Sequence, residues 1–340
     1  MRVRQRDVAR AAGVSQASVS LVVSGRAAEG GVSASTQERI RRAMSELGYV
    51  PDAAARSLRG GRNGLFGVFT YEPVFPSQPD DYFHEFLVGI EMAAAQHGQD
   101  LVLFSSAQQA DGRRSIFSDG ASRLHLADGS IILGMHRDDG ELRRLVDDGY
   151  PFVSLGRYDP VPEAAWVGVD YDRAVHSIID DLHAAGHESF VYIAGDDDRL
   201  PSRARRDSFR AATRDDASVI VGGSDLGVEQ MRDWVRRGVT TVVAENPLIA
   251  EGVAITANRA GLRVPDHLSA VSLEVPLRNG RAAGWSHLVI PKRDVGIRTV
   301  GVLAAILDGK LPRGHHETVQ CLPHHLGTIT SPGTSPAAVS

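Results

Sequence analysis

Eleven arginines lie in the first 62 residues of this 340-residue chain, facing only five acids, Asp7, Glu29, Glu38, Glu46 and Asp52. That segment is therefore net +6, and with −5 for the whole chain the remainder carries about −11. Guanidinium groups at this density suit a polyanion, through phosphate contacts and bidentate pairing with base edges. A second concentration is "GHHETVQCLPHHL", where His315, His316, Cys321, His324 and His325 offer the donor types of a zinc or nickel site. They fall in a terminal strand, where adjacent residues point to opposite faces, so a shared metal is not expected. No G-x-x-x-x-G-K-[ST], no G-x-G-x-x-G after the first strand and no G-x-S-x-G elbow occurs. Neither a cofactor nor an enzymatic activity is expected.

The arginines need elements to hold them, and the punctuation supplies three short helices: about Asp7–Ala12, Gln16–Val23 and Ser35–Leu47. In "RDVARAAGVSQASVSLVVSG", residues 6–25, Val8 and Ala12 give the first helix its apolar face. Gly13 permits a tight turn, Val14 plugs the corner and Ser15 caps the second helix. Ser35-x-x-Glu38 reads as a capping box for the third, and Gly48 as its stop. This is helix–turn–helix spacing, a motif that lays its second helix in the major groove. Leu21 is the odd residue. At 100° per residue it falls roughly opposite Val19, Val22 and Val23, on the side that ought to be polar.

The rest of the chain alternates differently. From residue 64, about ten short β-rich runs, from "LFGVFT" (65–70) to "HLVIP" (287–291), alternate with amphipathic helical stretches. Several are continuously apolar, as parallel strands covered on both faces must be. So many units divide most naturally into two doubly wound α/β lobes. Hydrophobic content of 42% and charged content of 23% are ordinary for a globular protein. No apolar run is long enough to span a membrane, and the charged "MRVRQRDVAR" lacks the apolar region of an export signal. With a single cysteine, a cytoplasmic location and no membrane partner are expected.

The stretches "RDVARAAGVSQASVSLVVSG" and "VSASTQERIRRAMSELGYVPDAAARSLR", with the order of α/β units after Gly64, resemble the lactose-repressor (LacI/GalR) family of bacterial transcription regulators. The resemblance implies a homodimer, with a helix–turn–helix head (1–50), a hinge helix (51–62) and a two-lobed body like periplasmic sugar-binding proteins (63–328). An N-lobe of about 63–157 plus 291–320 would join a C-lobe of about 166–285 plus 321–328. Three crossovers, near 157–166, 285–291 and 320–325, would connect them, and 329–340 would be a disordered tail. A near-palindromic double-stranded operator is the implied partner, with a small-molecule effector, a mono- or oligosaccharide, in the body. The alternative is a free-standing sugar-binding protein of the periplasmic type.

The implied DNA-contacting set is Arg4, Ser15, Gln16, Ala17, Ser18, Leu21 and Arg26 in the head, with Arg56, Leu58 and Arg59 in the hinge. Where the family usually carries arginine or another polar residue, Leu21 would touch a thymine methyl and stay exposed in the free protein. By resemblance Leu58 is the wedge that enters the minor groove at the operator centre. Ligands of doubly wound folds sit beyond the carboxyl ends of strands. Those ends offer Tyr71, Glu72, Arg157, Glu245, Asn246 and Glu274, and the family's hydroxyl-holding arginine falls at Arg203. Charged groups beside the aromatic Tyr71, Phe75 and Trp285 suit a sugar. "AENPLIAEG" departs from the family's usual Asn-Asp order there, which leaves the effector's identity open.

Overall fold

The computed structural model describes residues 3–24, 26–49, 62–72, 82–105, 114–118, 120–134, 136–196, 200–213, 218–222 and 226–332. Three helices form the head: α1 (Gln5–Ala12), α2 (Gln16–Val23) and α3 (Ala34–Glu46). Val8, Val19 and Ile40, one from each, meet with no exposure at all. Gly13 takes φ +62° after α1, a left-handed turn that a side chain would strain. Ser15 caps α2 by accepting the Ser18 N–H at 3.1 Å. The expected capping box at Ser35 is not the one used. Ser33 caps α3, accepting the Thr36 N–H at 3.3 Å, and Glu38 pairs forward with Arg41 at 3.7 Å.

Among the described residues the body holds two six-stranded sheets. In the first the order is β13–β7–β6–β5–β1–β2, all parallel: β1 (Leu65–Thr70), β2 (Asp100–Phe104), β5 (Gly129–Leu133), β6 (Phe152–Leu155), β7 (Ala165–Asp170) and β13 (His316–Gln320). A small hairpin, β3 (Phe117–Ser118) and β4 (Ala121–Ser122), stands apart. The second sheet runs β14–β12–β11–β10–β8–β9: β8 (Phe190–Ala194), β9 (Ser218–Gly222), β10 (Thr241–Ala244), β11 (Ser269–Ser272), β12 (Ser286–Val289) and an antiparallel edge, β14 (Leu322–His324). Parallel strands need helical crossovers, and these cover both faces of each sheet. Hence β5, β6, β8, β10 and β11 are buried along their whole length.

Helices α4 (His84–Gln96) and α10 (Lys292–Leu307) pack on one face of the first sheet, and α5 (Asp139–Asp147) lies on the other. On the second sheet, α6 (Tyr171–Ala184) and α7 (Leu200–Thr213) cover one face, α8 (Val228–Arg236) and α9 (Pro247–Arg259) the other. The chain changes sheet after Asp170, after Ile290 and at Cys321. The first of these differs from the expected crossover at 157–166, because "AWVGVD" pairs with β6 and remains in the first sheet. Residues 157–164 are a loop returning to that sheet. The end of the chain also differs from a disordered tail at 329–332. The Thr330 N–H donates to Ser269 Oγ at 3.1 Å, and its carbonyl lies 2.7 Å from His187 Nε2.

Helices α4 and α10 approach each other through glycine. A Cβ on Gly89 would overlap the carbonyl oxygen of Arg293, and one on Gly296 would overlap that of Phe86. Alanine at 89 gains roughly 0.5–1 kcal/mol of helix propensity. It must also separate α4 from α10 and disturb their shared core, an overpacking cost of about 1–3 kcal/mol. We predict that Gly89→Ala lowers the denaturation midpoint in urea; an unchanged or raised midpoint would mean that the close approach is not required.

Candidate nucleic-acid face and interlobe cleft

On α2, Gln16 and Ala17 are exposed, with Ser20 and Leu21 on the same side of the helix, half-buried. Val19 points the other way, into the head core. Ser18 is tied to the cap, its hydroxyl 2.9 Å from Ser15 Oγ. Arg4 precedes α1 with an exposed side chain, its N–H donated to Asp7 at 2.9 Å. Arg26 is exposed and paired with Glu29 at 2.7 Å. Arg56, Leu58 and Arg59 lie outside the described residues.

Leu21 is not the freely exposed side chain expected from its position. The turn after α2 folds Gly30 onto it so closely that a Cβ on Gly30 would overlap Leu21 Cδ1. Glycine at 30 is what lets the leucine keep its place. The leucine therefore has both an outward-facing helix position and an intramolecular partner.

In the body, two adjoining hollows separate the lobes, about 620 and 1270 Å³, sharing Tyr82 and Pro201. Their walls are carboxyl ends of strands from both sheets: Gly134 after β5, Leu155 and Gly156 at β6, Asn246 after β10 and Glu274 after β11. Arg157 and Arg203 line the smaller hollow, and Arg157 is paired with Asp159 at 2.9 Å. Asn246 and Glu274 line the larger one. Asn246 also caps α9, accepting the N–H groups of Leu248 and Ile249 at 3.1 and 3.0 Å.

Three of the expected ligand residues are elsewhere. Tyr71 lines neither hollow; it follows Phe69 onto the outer face of the first sheet and donates its hydroxyl to Glu141 at 3.0 Å. Burial, with Glu141 beside it, raises that phenol well above its ordinary range. Glu72 holds His136 through both the backbone N–H (2.9 Å) and ring Nδ1 (2.8 Å). Glu245 is fully buried, clasped by Arg206 at 2.7 and 3.2 Å and by the Tyr192 hydroxyl at 3.1 Å. It is a structural anchor for α7. Trp285 is a core residue of the C-lobe, and Phe75 lies outside the described residues.

Arg205, not Arg203, is the arginine that α7 turns inward. The period running back from Phe209, which fills the core, brings Ser208, Arg205 and Ser202 onto the buried side and leaves Arg203 exposed. That spacing was available in the sequence. Arg205 is 4% exposed, reaches Glu274 at 2.5 Å and lies over the Tyr171 ring at 5.2 Å. Burial alone would lower its pKa, but the Glu274 carboxylate and the neighbouring tyrosines outweigh it and raise the value. Its Nε has no hydrogen-bond partner among the described residues. A buried donor left open beside a cleft is a place for a ligand oxygen.

The histidine-rich segment is dispersed by the fold. His316 stacks on Trp166 of the first sheet at 4.7 Å, while His324 faces His287 on the second sheet at 5.1 Å. His325 pairs with Asp181 at 3.2 Å. Cys321 is buried where the chain passes between sheets, its thiol donating to the Val289 carbonyl and pushed up to about 12 by burial. Among the described residues no group of three or more such side chains could hold a metal ion, and no helix is long and apolar enough to cross a membrane.

Residues 6–52 match the model of bacterial regulatory proteins of the lacI family, and residues 179–325 that of a periplasmic binding protein-like domain. Among similar proteins, the HTH-type transcriptional regulator CelR of Thermobifida fusca is 29% identical over 282 residues, spanning 78% of this chain and 80% of that one. Catabolite control protein A of Priestia megaterium is 25% identical over 81% of this chain and 83% of its own. Among solved structures, the lac repressor dimer bound to operator and the anti-inducer ONPF superposes with a TM-score of 0.67, at 21% identity over 97% of this chain and 100% of that chain. The CelR–cellobiose complex gives 0.54, at 22% identity over 95% and 98%. The helix–turn–helix head thus matches the lacI family of bacterial regulatory proteins, and it is joined to a two-sheet parallel α/β body that carries a periplasmic binding protein-like domain.

Proposed function

We propose that the protein is a cytoplasmic, sequence-specific transcriptional regulator whose DNA affinity is set by a sugar bound between the lobes. The observation that carries this reading is the joining, in one chain, of an open α2 face to a charged cleft walled by strand ends of both sheets. A relative at 29% identity, CelR, is an HTH-type regulator, and a structure bearing that name holds cellobiose. A free-standing transport binding protein has no use for a lacI-type head, which disfavours that alternative.

In this reading two heads of a homodimer occupy half-sites of a near-palindromic operator, and residues 51–62 lie at its centre. Gln16 and Ala17 govern neighbouring bases at the start of α2. Gln16 is suited to adenine, and Ala17 to close approach or a thymine methyl. In the cleft, Arg205 and Glu274 meet sugar hydroxyls from the C-lobe, and Arg157 approaches from the N-lobe side. A ligand touching both walls favours one lobe arrangement and shifts DNA affinity only by its preference for that arrangement. The site binds and releases its ligand unchanged; no reaction is assigned to it.

Two outcomes test this. Leu21→Ala should lower the melting midpoint of the full-length protein, because contact with the Gly30 turn is lost. Truncating a half-buried leucine costs about 1–2 kcal/mol, below the range for a fully buried one. The same variant should relax base preference at one position per half-site, by about 1–3 kcal/mol, in selection from a random half-site library. A lowered midpoint with every base preference retained would reduce Leu21 to packing alone. Assembly is the second outcome. Light scattering at micromolar concentration should give the mass of two chains, as two heads on one near-palindromic operator require. A stable tetramer or a monomer would contradict the dimeric arrangement.

A further inference from the structure

The arginines of the cleft differ in what neutralises them. Arg205 is matched by Glu274 and Arg157 by Asp159. Arg137, which lines the smaller hollow, has no carboxylate within ion-pair distance among the described residues. Instead it donates to three carbonyls at the ends of β5 and β6: Nε to Gly134 at 3.0 Å, Nη1 to Gly156 at 3.3 Å, and Nη2 to Leu155. Its guanidinium lies 4.8 Å from the centre of the Tyr158 ring. Carbonyls and rings orient a cation without cancelling its charge.

The nearby carboxylates are all held by other groups. Glu72 takes His136, Asp138 caps α5 by accepting the Glu141 N–H at 2.9 Å, and Asp139 accepts the Tyr158 hydroxyl. Burial lowers the Arg137 pKa to about 10, which still leaves the group protonated at neutral pH. Three of its five N–H groups serve the carbonyls, so the fork has further donors to give. A half-buried, unmatched guanidinium on a cleft wall is held ready for an anion brought by the ligand.

Asp170 at the end of β7, Asp172 on α6 and Asp207 on α7 line the same hollow beside Arg203. Each already accepts a partner, the Arg173 N–H, the Ser208 hydroxyl and Arg210 respectively, and keeps further lone pairs. Carboxylates accept hydroxyl hydrogens, and the Tyr82 ring, with Lys292 Nζ 4.3 Å from its centre, lines the same hollow. We propose that the effector is an acidic sugar, its carboxylate or phosphate held by Arg137 at the N-lobe wall and its hydroxyls by Asp170, Asp172 and Asp207. This deepens the effector reading above and rests on it.

Matched sets of hexose ligands test it on the full-length protein: the aldose, its aldonate, its 6-phosphate and its 2-amino sugar, compared by calorimetric titration. A gel shift on selected DNA runs alongside. In the responding set an acidic form should bind at least tenfold more tightly than the aldose, and the two acidic arms separate carboxylate from phosphate. Arg137→Met should erase that advantage while the aldose binds as before, and Arg137→Lys should retain part of it. The comparison among ligands on the unaltered protein stands even if Arg137→Met folds poorly. An aldose or amino sugar binding as tightly as the acids overturns the proposal. So does an acid preference that survives in Arg137→Met, or a silent acid series in a protein that still binds DNA. Loss of DNA binding in the unaltered protein would overturn the regulator reading together with this one.

Discussion

Parallel strands cannot be joined by tight turns, so each sheet of this body must be covered by helices and leaves its strand ends bare. The chain passes between the two sheets three times, after Asp170, after Ile290 and at Cys321. Those passages set the bare ends of both sheets against one cleft. Tyr171, Ile290 and Cys321 belong to a single buried cluster, so the connections are packed together rather than strung independently. Everything that could recognise a ligand follows from that arrangement. Arg205 comes from a helix of one lobe, Arg137 from a strand-end loop of the other, and Tyr82 contributes to both hollows.

The cleft is polar inside, which is costly unless its charges are matched. Behind the cleft wall, Arg206 and Glu245 are matched fully and hold α7 to the end of β10. Removing either partner of such a buried pair costs roughly 3–5 kcal/mol, because the survivor keeps its desolvation penalty. Arg205 and Glu274 are matched to each other yet leave one donor open. Arg137 is braced but not neutralised. This gradient, from closed pair to open cation, separates the residues that build the cleft from those free to bind in it.

What could be read in the sequence was whatever depends on local spacing. The Gly13 turn, the Ser15 cap and the continuous apolar strands all follow from one or two turns of chain. Ser33, two residues earlier, takes the capping role expected of Ser35: its hydroxyl accepts the Thr36 N–H, and Ser35 falls inside the first turn of α3. The first crossing is not legible locally: "AWVGVD" is an equally good strand for either lobe, and its pairing with β6 decides. Tyr71 and Glu245 stand beyond strand ends as a ligand residue should. Their side chains turn instead to Glu141 and Arg206, distant in sequence, which no spacing reveals. Arg205 could have been found from the period of α7. Arg137 could not, since its significance lies in the carboxylates that pair elsewhere.

The central claim is that the cleft and the α2 face are coupled. The direct test is to measure the dissociation constant of the full-length protein for its selected DNA with and without the sugar it binds. The sugar's affinity is then measured with and without that DNA. Coupling free energies of about 1–3 kcal/mol correspond to changes of roughly 5- to 150-fold, and linkage requires the two ratios to be equal. A change of at least fivefold in DNA affinity is expected, matched by the same factor in sugar affinity. A sugar that binds in the cleft while DNA affinity stays the same would contradict it.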